Sequence, residues 1–156
     1  MSDTETVTLT LTQEADYSFR VAFDQASLPD LLTDEPPPLG QDKGPDPTRV
    51  LAASIGSCLG SSLLFALRKF KNTPGAIVIR MRVYPTRNEQ GRLRIGNIIA
   101  EIQLAENAGD YKQIERILAQ FEDFCVVTQS VRAGVPVEVT VLDAEGAVLH
   151  GDIPSA

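Results

Sequence analysis

The stretch Pro47-Thr-Arg-Val-Leu-Ala-Ala-Ser-Ile-Gly-Ser-Cys58-Leu-Gly-Ser-Ser-Leu-Leu-Phe-Ala-Leu67 decides how this chain folds. Asp46 before it is a good N-cap, and Pro47 fits the first helical position, where its missing N–H costs nothing. A helix is therefore predicted from Pro47 to about Lys71, with Arg68, Lys69 and Lys71 complementing the dipole at its end. From Val50 to Leu67 there are 18 residues without a charge, close to the lower limit for spanning a bilayer. Six of them are Ser or Gly, which makes the run less apolar than a membrane span. No membrane is expected. The composition instead predicts a helix buried all round in a folded protein, approached closely by another backbone along its small-residue face. A monomer of 156 residues would struggle to cover such a helix on every side, so a homodimer is expected with the 47–71 helix at its centre.

On the N-terminal side, Thr6–Thr12 alternates Thr with Val7, Leu9 and Leu11, and Tyr17–Phe23 alternates in the same way. Both have the period of half-buried strands, joined as a hairpin through Gln13–Asp16. From Leu28 to Pro47 the composition shifts to Pro, Gly and Asp, which predicts a long helix-free loop. Asp34 and Glu35 read as a solvated end of that loop rather than an acid–base pair.

On the C-terminal side, Ala76–Tyr84 puts Ile77, Ile79, Met81 and Val83 on one face and Arg80 and Arg82 on the other. Leu93–Leu104 returns from a turn near Gln90-Gly91, so a second hairpin is expected, with Arg80, Arg82, Arg92 and Arg94 on its solvated face. Tyr111, Ile114, Ile117, Leu118 and Phe121 then recur at helical spacing from Asp110 to near Phe124-Cys125. Val135, Val137, Val139 and Val141 alternate, and Ala144–Gly146 turns the chain into a short strand at Ala147–His150. The order ββ-loop-α-ββ-α-ββ predicts one α+β domain over residues 1–156 with antiparallel pairing.

Charge and composition narrow the function. The 14 Lys plus Arg against 21 Asp plus Glu give a net charge of −7, and an acidic surface repels a phosphate backbone, so nucleic acid is not an expected partner. Two cysteines and no signal-like leader point to a reducing compartment, and a cytoplasmic location is expected. The single histidine, His150, falls in a terminal strand, away from any nucleophile of a hydrolase triad. One His and two widely separated Cys lack the spacing of a metal site, and no glycine-rich phosphate loop is present, so neither metal nor cofactor is expected.

The reactive inventory is then Cys58 and Cys125. Two readings stand. Both are small buried hydrophobes, as free cysteines usually are, or they form a peroxide-reducing pair in which one thiolate is oxidised to a sulfenic acid and the other captures it as a disulfide. The second reading requires a cation near the attacking thiol and the second thiol within disulfide reach.

Pro47-Thr-Arg-Val-Leu-Ala-Ala-Ser-Ile-Gly-Ser-Cys-Leu59 and Phe121-Glu-Asp-Phe-Cys-Val-Val-Thr-Gln-Ser-Val131 resemble the two cysteine blocks of the osmotically inducible protein C and organic hydroperoxide resistance superfamily. The loop between Asp34 and Pro47 and the order of elements agree with it. The resemblance implies antiparallel sheets packed around two central helices in an intertwined homodimer, with active sites at the subunit interface. It further implies that Cys58 is the peroxidatic and Cys125 the resolving cysteine, that organic hydroperoxides are the substrates, and that a dithiol such as a lipoyl group is the reductant. The hydroperoxide-resistance branch carries a Glu that holds the activating Arg; this sequence has Thr48 there, with Arg49 beside it, and Arg20 as the loose match to the Arg. A non-catalytic member of the same fold, binding a small apolar ligand or a partner with its cysteines as packing, remains the alternative.

Overall fold

The computed structural model describes residues 5–151. Its first unit is an antiparallel sheet of β1 (Leu9–Ala15), β2 (Ser18–Phe23) and β3 (Leu31–Thr33), with Leu9 opposite Phe23 and Thr12 opposite Arg20. The short β3 falls inside the segment expected to be loop throughout. Asp34, expected on a solvated loop end, is instead buried. Its carboxylate accepts the backbone N–H groups of Glu35, Gln41 and Lys43, which folds the proline-rich segment back on itself. Those N–H groups hold the Asp34 carboxyl below the ordinary carboxylate range, outweighing the opposing effect of burial.

The long helix α1 spans Pro47–Lys69, and the Asp46 side chain accepts the N–H of Arg49 at its start. At its other end the buried Asn72 side chain donates to the carbonyls of Leu67 and Lys112 and accepts the N–H of Lys112. One side chain thus closes α1 and ties it to a segment 40 residues further on. Alongside runs the hairpin of β4 (Val78–Arg87) and β5 (Leu93–Gln103), in register with Ile79 opposite Ile102 and Met81 opposite Ala100. Gly56 and Gly60 let it approach, since Met81 covers the first and Ile79 the second. On the outer face Arg80 and Arg82 are exposed and pair with Glu101.

The helix α1 has the length and apolarity of a bilayer span and buries Ile55, Leu59, Leu63 and Leu67 in the core on one side. Within one chain β4, β5 and the C-terminal helices cover only part of its circumference, so Ala53, Ser57, Ser61 and Phe65 stay exposed, Phe65 at 71%. The helix expected from Asp110 to near Phe124-Cys125 begins later, as α2 (Ile114–Gln120), and ends in a tight 3-10 turn at Phe121–Phe124; a further helix that was not expected, α3 (Val126–Ala133), follows, so the described residues hold three α-helices rather than two. Cys125 adopts an extended backbone (φ −82°, ψ 94°) that ends one segment and caps the next, and Gly134 ends α3 at φ 73°.

The valine alternation after α3 yields less strand than expected. Only β6 (Val141–Leu142) pairs with β7 (Val148–His150), while Val135, Val137 and Val139 are exposed. A strand needs a neighbouring edge as well as an alternating pattern. The core joins the buried face of α1 to Tyr111, Ile117, Phe121 and Cys125.

Candidate functional site

Cys58 lies in the middle of α1, half-buried between the core residues Ile55 and Leu59 and the exposed stripe at Ser57 and Ser61. Cys125 is 0% exposed. The 3-10 turn and α3 pack directly on α1, and this brings Cys125 against Cys58, so the two cysteines interact through their sulfurs. Around them stand hydroxyl and amide groups. Thr128, itself buried, places Oγ1 2.9 Å from Cys125 Sγ. Ser62, one turn beyond Cys58 on α1, is near Cys125 and favours its charged form. The N–H groups of Val127 and Thr128, in the first turn of α3, are directed at Cys58.

The environment divides the two thiols. Burial pushes the Cys58 thiol up, and its hydrogen bond to Cys125 adds to that, outweighing the backbone N–H groups. Burial would raise Cys125 as well, but its polar neighbours Cys58, Thr128 and Ser62 bring it below the ordinary thiol value.

A cleft of about 730 Å³ opens between α1, β5 and the C-terminal helices, with Ile55, Leu59, Met81, Ile98, Phe121 and Thr128 among its lining residues. Its charged lining residues are Glu122 and Arg132, which pair with each other at 2.6 Å. The lining mixes apolar and polar groups and includes the α1 and α3 neighbours of the cysteines, though neither cysteine itself, with room for a small organic molecule.

Of the four residues named from the sequence, one chain brings together Cys58 and Cys125 and leaves both arginines elsewhere. Arg20 sits on β2, paired with Glu14 and, at 3.9 Å, with Asp30. Arg49 pairs with Asp46, is 70% exposed, and stands nine residues before Cys58, roughly 13 Å along the helix axis. The expectation of a guanidinium beside Cys58 is not met within a single chain, where Arg20 is paired with Glu14 and Asp30 and Arg49 with Asp46. Thr128 and Ser62 were not read from the sequence as site residues. Ser62 had a signal in its spacing of four from Cys58, but Thr128 had none until the helix break at Cys125 was known.

Several solved structures share the fold. The organic hydroperoxide resistance protein from Elizabethkingia anophelis matches with a TM-score of 0.65 at 18% identity, covering 86% of this chain and 93% of that one. An OsmC-like protein from Mycoplasma pneumoniae gives 0.66 at 16% identity, with 85% and 90% covered. For the organic hydroperoxide resistance protein OhrB of Bacillus subtilis the values are 0.60 and 16%, with 83% and 93% covered. No curated protein matches in sequence. At such identities the likeness establishes architecture. The sequence itself matches the OsmC-like protein family model over residues 40–140, a span that includes α1, both cysteines and the cleft, and the chain belongs to that family.

Proposed function

We propose that this protein is a thiol-dependent peroxidase that reduces organic hydroperoxides through Cys58, with Cys125 as the resolving thiol. The observation that carries the reading is the packing of a half-buried and a fully buried cysteine into one core cluster, near a cleft lined in part by Ile55, Leu59, Ile98 and Phe121. The Cys58 thiolate attacks the terminal peroxide oxygen; an S–O bond forms, the O–O bond breaks, and the alcohol leaves. Cys125 then attacks the resulting sulfenic acid, forming the S–S bond and releasing water. A small dithiol, of which a lipoyl group is one, returns the disulfide to two thiols. The organic hydroperoxide resistance proteins among the structural neighbours support the same substrate class.

The working unit in this proposal is a homodimer, in which a second copy covers the exposed stripe of α1 and the apolar faces of β1 and β2, where Leu9, Leu11 and Phe19 are exposed. Arg20 and Arg49 act on Cys58 only if that second copy carries them across. The separation of both arginines from the pair, with Thr48 in place of the glutamate, favours the second reading, a small-ligand or partner-binding protein with structural cysteines. One assay separates the two: consumption of cumene hydroperoxide with a dithiol reductant. Turnover by wild type and none by Cys58→Ser supports the peroxidase; wild type equal to buffer supports the binding protein.

A further inference from the structure

We propose that Met81 is a second oxidation site: an organic hydroperoxide bound in the cleft converts its thioether to the sulfoxide, and the sulfoxide shuts the cleft to further apolar substrate. This deepens the peroxidase reading and rests on its assignment of the cleft as the hydroperoxide site.

Neither Cys58 nor Cys125 lines the cleft; the sulfur-bearing residue that does is Met81, on β4. The same side chain also lines a neighbouring hollow of about 550 Å³, together with Ala52, Ala53 and Ile79. Half-buried and bordered by open space twice, it is within reach of a small molecule from solution.

Gly56 explains how the thioether comes to lie there. The helix presents no side chain beneath Met81, and a Cβ on Gly56 would stand 3.1 Å from its Sδ and 3.2 Å from its Cγ. Around α1, Leu59, Ile55 and Cys58 follow Gly56 in one direction at about 60°, 100° and 160°. Leu59 and Ile55 are the α1 wall of the cleft. A thioether therefore stands on one flank of that wall and the half-buried thiol of Cys58 on the other, both packed against the same core.

The step at Met81 needs only the hydroperoxide. A sulfur lone pair attacks the terminal peroxide oxygen; the S–O bond forms and the O–O bond breaks. The hydroperoxide proton passes to the departing alkoxide, which leaves as the alcohol. One thioether and one hydroperoxide become one sulfoxide and one alcohol, with sulfur oxidised by two electrons and the peroxide reduced by two. No thiolate takes part, which separates this step from the reaction at Cys58. The product is polar where the thioether was apolar. The close seat on Gly56 has no room for an added oxygen, so the oxygen turns into the cleft and sets an acceptor beside its apolar lining.

The test follows the gain of one oxygen on the Met81 peptide by mass spectrometry, in Cys58→Ser protein treated with cumene hydroperoxide. Oxidation in the folded protein is expected to saturate with hydroperoxide, to be slowed by cumyl alcohol, and to outpace oxidation of the same protein unfolded in urea. Hydrogen peroxide, which has no alkyl group for the cleft to hold, should show no such advantage of the folded state. No oxidation of Met81, oxidation indifferent to cumyl alcohol, or faster oxidation in urea overturns the inference. If Cys58→Ser does not fold, the same measurements on wild type decide.

A second arm compares wild type with Met81→Leu, a volume-conserving change. Turnover of cumene hydroperoxide with a dithiol is measured before and after exposure to excess hydroperoxide, each protein against its own starting rate. Wild type should lose most of its rate and not regain it with fresh dithiol, while Met81→Leu should keep its rate. Equal loss in the two overturns closure of the cleft by the sulfoxide. No turnover by untreated wild type removes the peroxidase reading, and the Cys58→Ser arm alone then decides whether the cleft delivers hydroperoxide to Met81.

Discussion

Gly60 of α1 lies so close under Ile79 of β4 that a Cβ on the glycine would stand 2.7 Å from Ile79 Cδ1. One turn earlier a Cβ on Gly56 would meet Met81 Sδ at 3.1 Å. The two glycines set the distance between the helix that carries Cys58 and the hairpin that lines the cleft. Gly60→Ala needs only the tip of Ile79 to shift and recovers helix propensity of about 1 kcal/mol, so its net effect should be small. Gly60→Val and Gly56→Val overfill the contact and should each destabilise by about 1–3 kcal/mol. Urea unfolding midpoints check both expectations, and an unaltered midpoint in the valine variants would contradict the packing.

The exposed stripe of α1 predicts association. Ser57, Ser61 and Phe65 form a face of small residues ending in an aromatic, which suits close contact with a second copy of the same helix. Sedimentation at micromolar concentration should give twice the chain mass, and Phe65→Asp should shift the population toward the single chain. A monomeric wild type removes the dimer from the proposal.

How far the sequence reveals this arrangement depends on whether local rules decide the element. The start of α1 at Asp46-Pro47 and the β4–β5 hairpin follow from capping and alternation, and both occur where the pattern puts them. The third helix does not follow, because nothing in the residue types demands an extended Cys125 that restarts the chain as α3. The burial of Asp34 was equally hidden, since it depends on the return of Gln41 and Lys43 over the loop. For the site, what the sequence makes legible is the two cysteines in their blocks, within the span that matches the family. Their contact and the hydroxyls around the inner sulfur are tertiary facts.

Asn72 gives a prediction for stability. Its side chain satisfies two carbonyls and one N–H from both sides of the long connection between α1 and α2. Asn72→Ala leaves those groups without their partner in a buried setting and should cost about 1–3 kcal/mol. Asn72→Asp keeps the acceptor for Lys112 N–H but sets carboxylate oxygen against the carbonyls of Leu67 and Lys112, and should recover none of the loss. Thermal or urea unfolding measures both.

Asp34 makes part of the stability depend on pH. Its folded-state carboxyl lies below the ordinary carboxylate value because three backbone N–H groups donate to it. A group with a depressed folded value contributes stability above its unfolded value and loses it as pH falls through the folded one. Stability should therefore decline on acidification below the normal Asp range, and Asp34→Asn, which keeps an oxygen but does not titrate, should flatten that part of the curve while lowering stability at neutral pH. Parallel curves for the two proteins would show that the carboxylate is not bound as described.

The cysteine variants carry the functional prediction furthest. Cys58→Ser should abolish turnover of cumene hydroperoxide, because sulfur is the only nucleophile in the proposed reaction. Cys125→Ser should permit one round of oxidation and stop there, leaving a sulfenic acid on Cys58 that a dione reagent traps, since the capturing thiol is gone. The apolar lining of the cleft adds an order of substrates: each methylene of an alkyl group buried against Ile55, Leu59, Ile98 and Phe121 contributes roughly 0.8 kcal/mol, so bulky organic hydroperoxides should react well ahead of hydrogen peroxide. Undiminished turnover in Cys58→Ser would move the nucleophile elsewhere, and equal rates for hydrogen peroxide and cumene hydroperoxide would detach the cleft from the reaction.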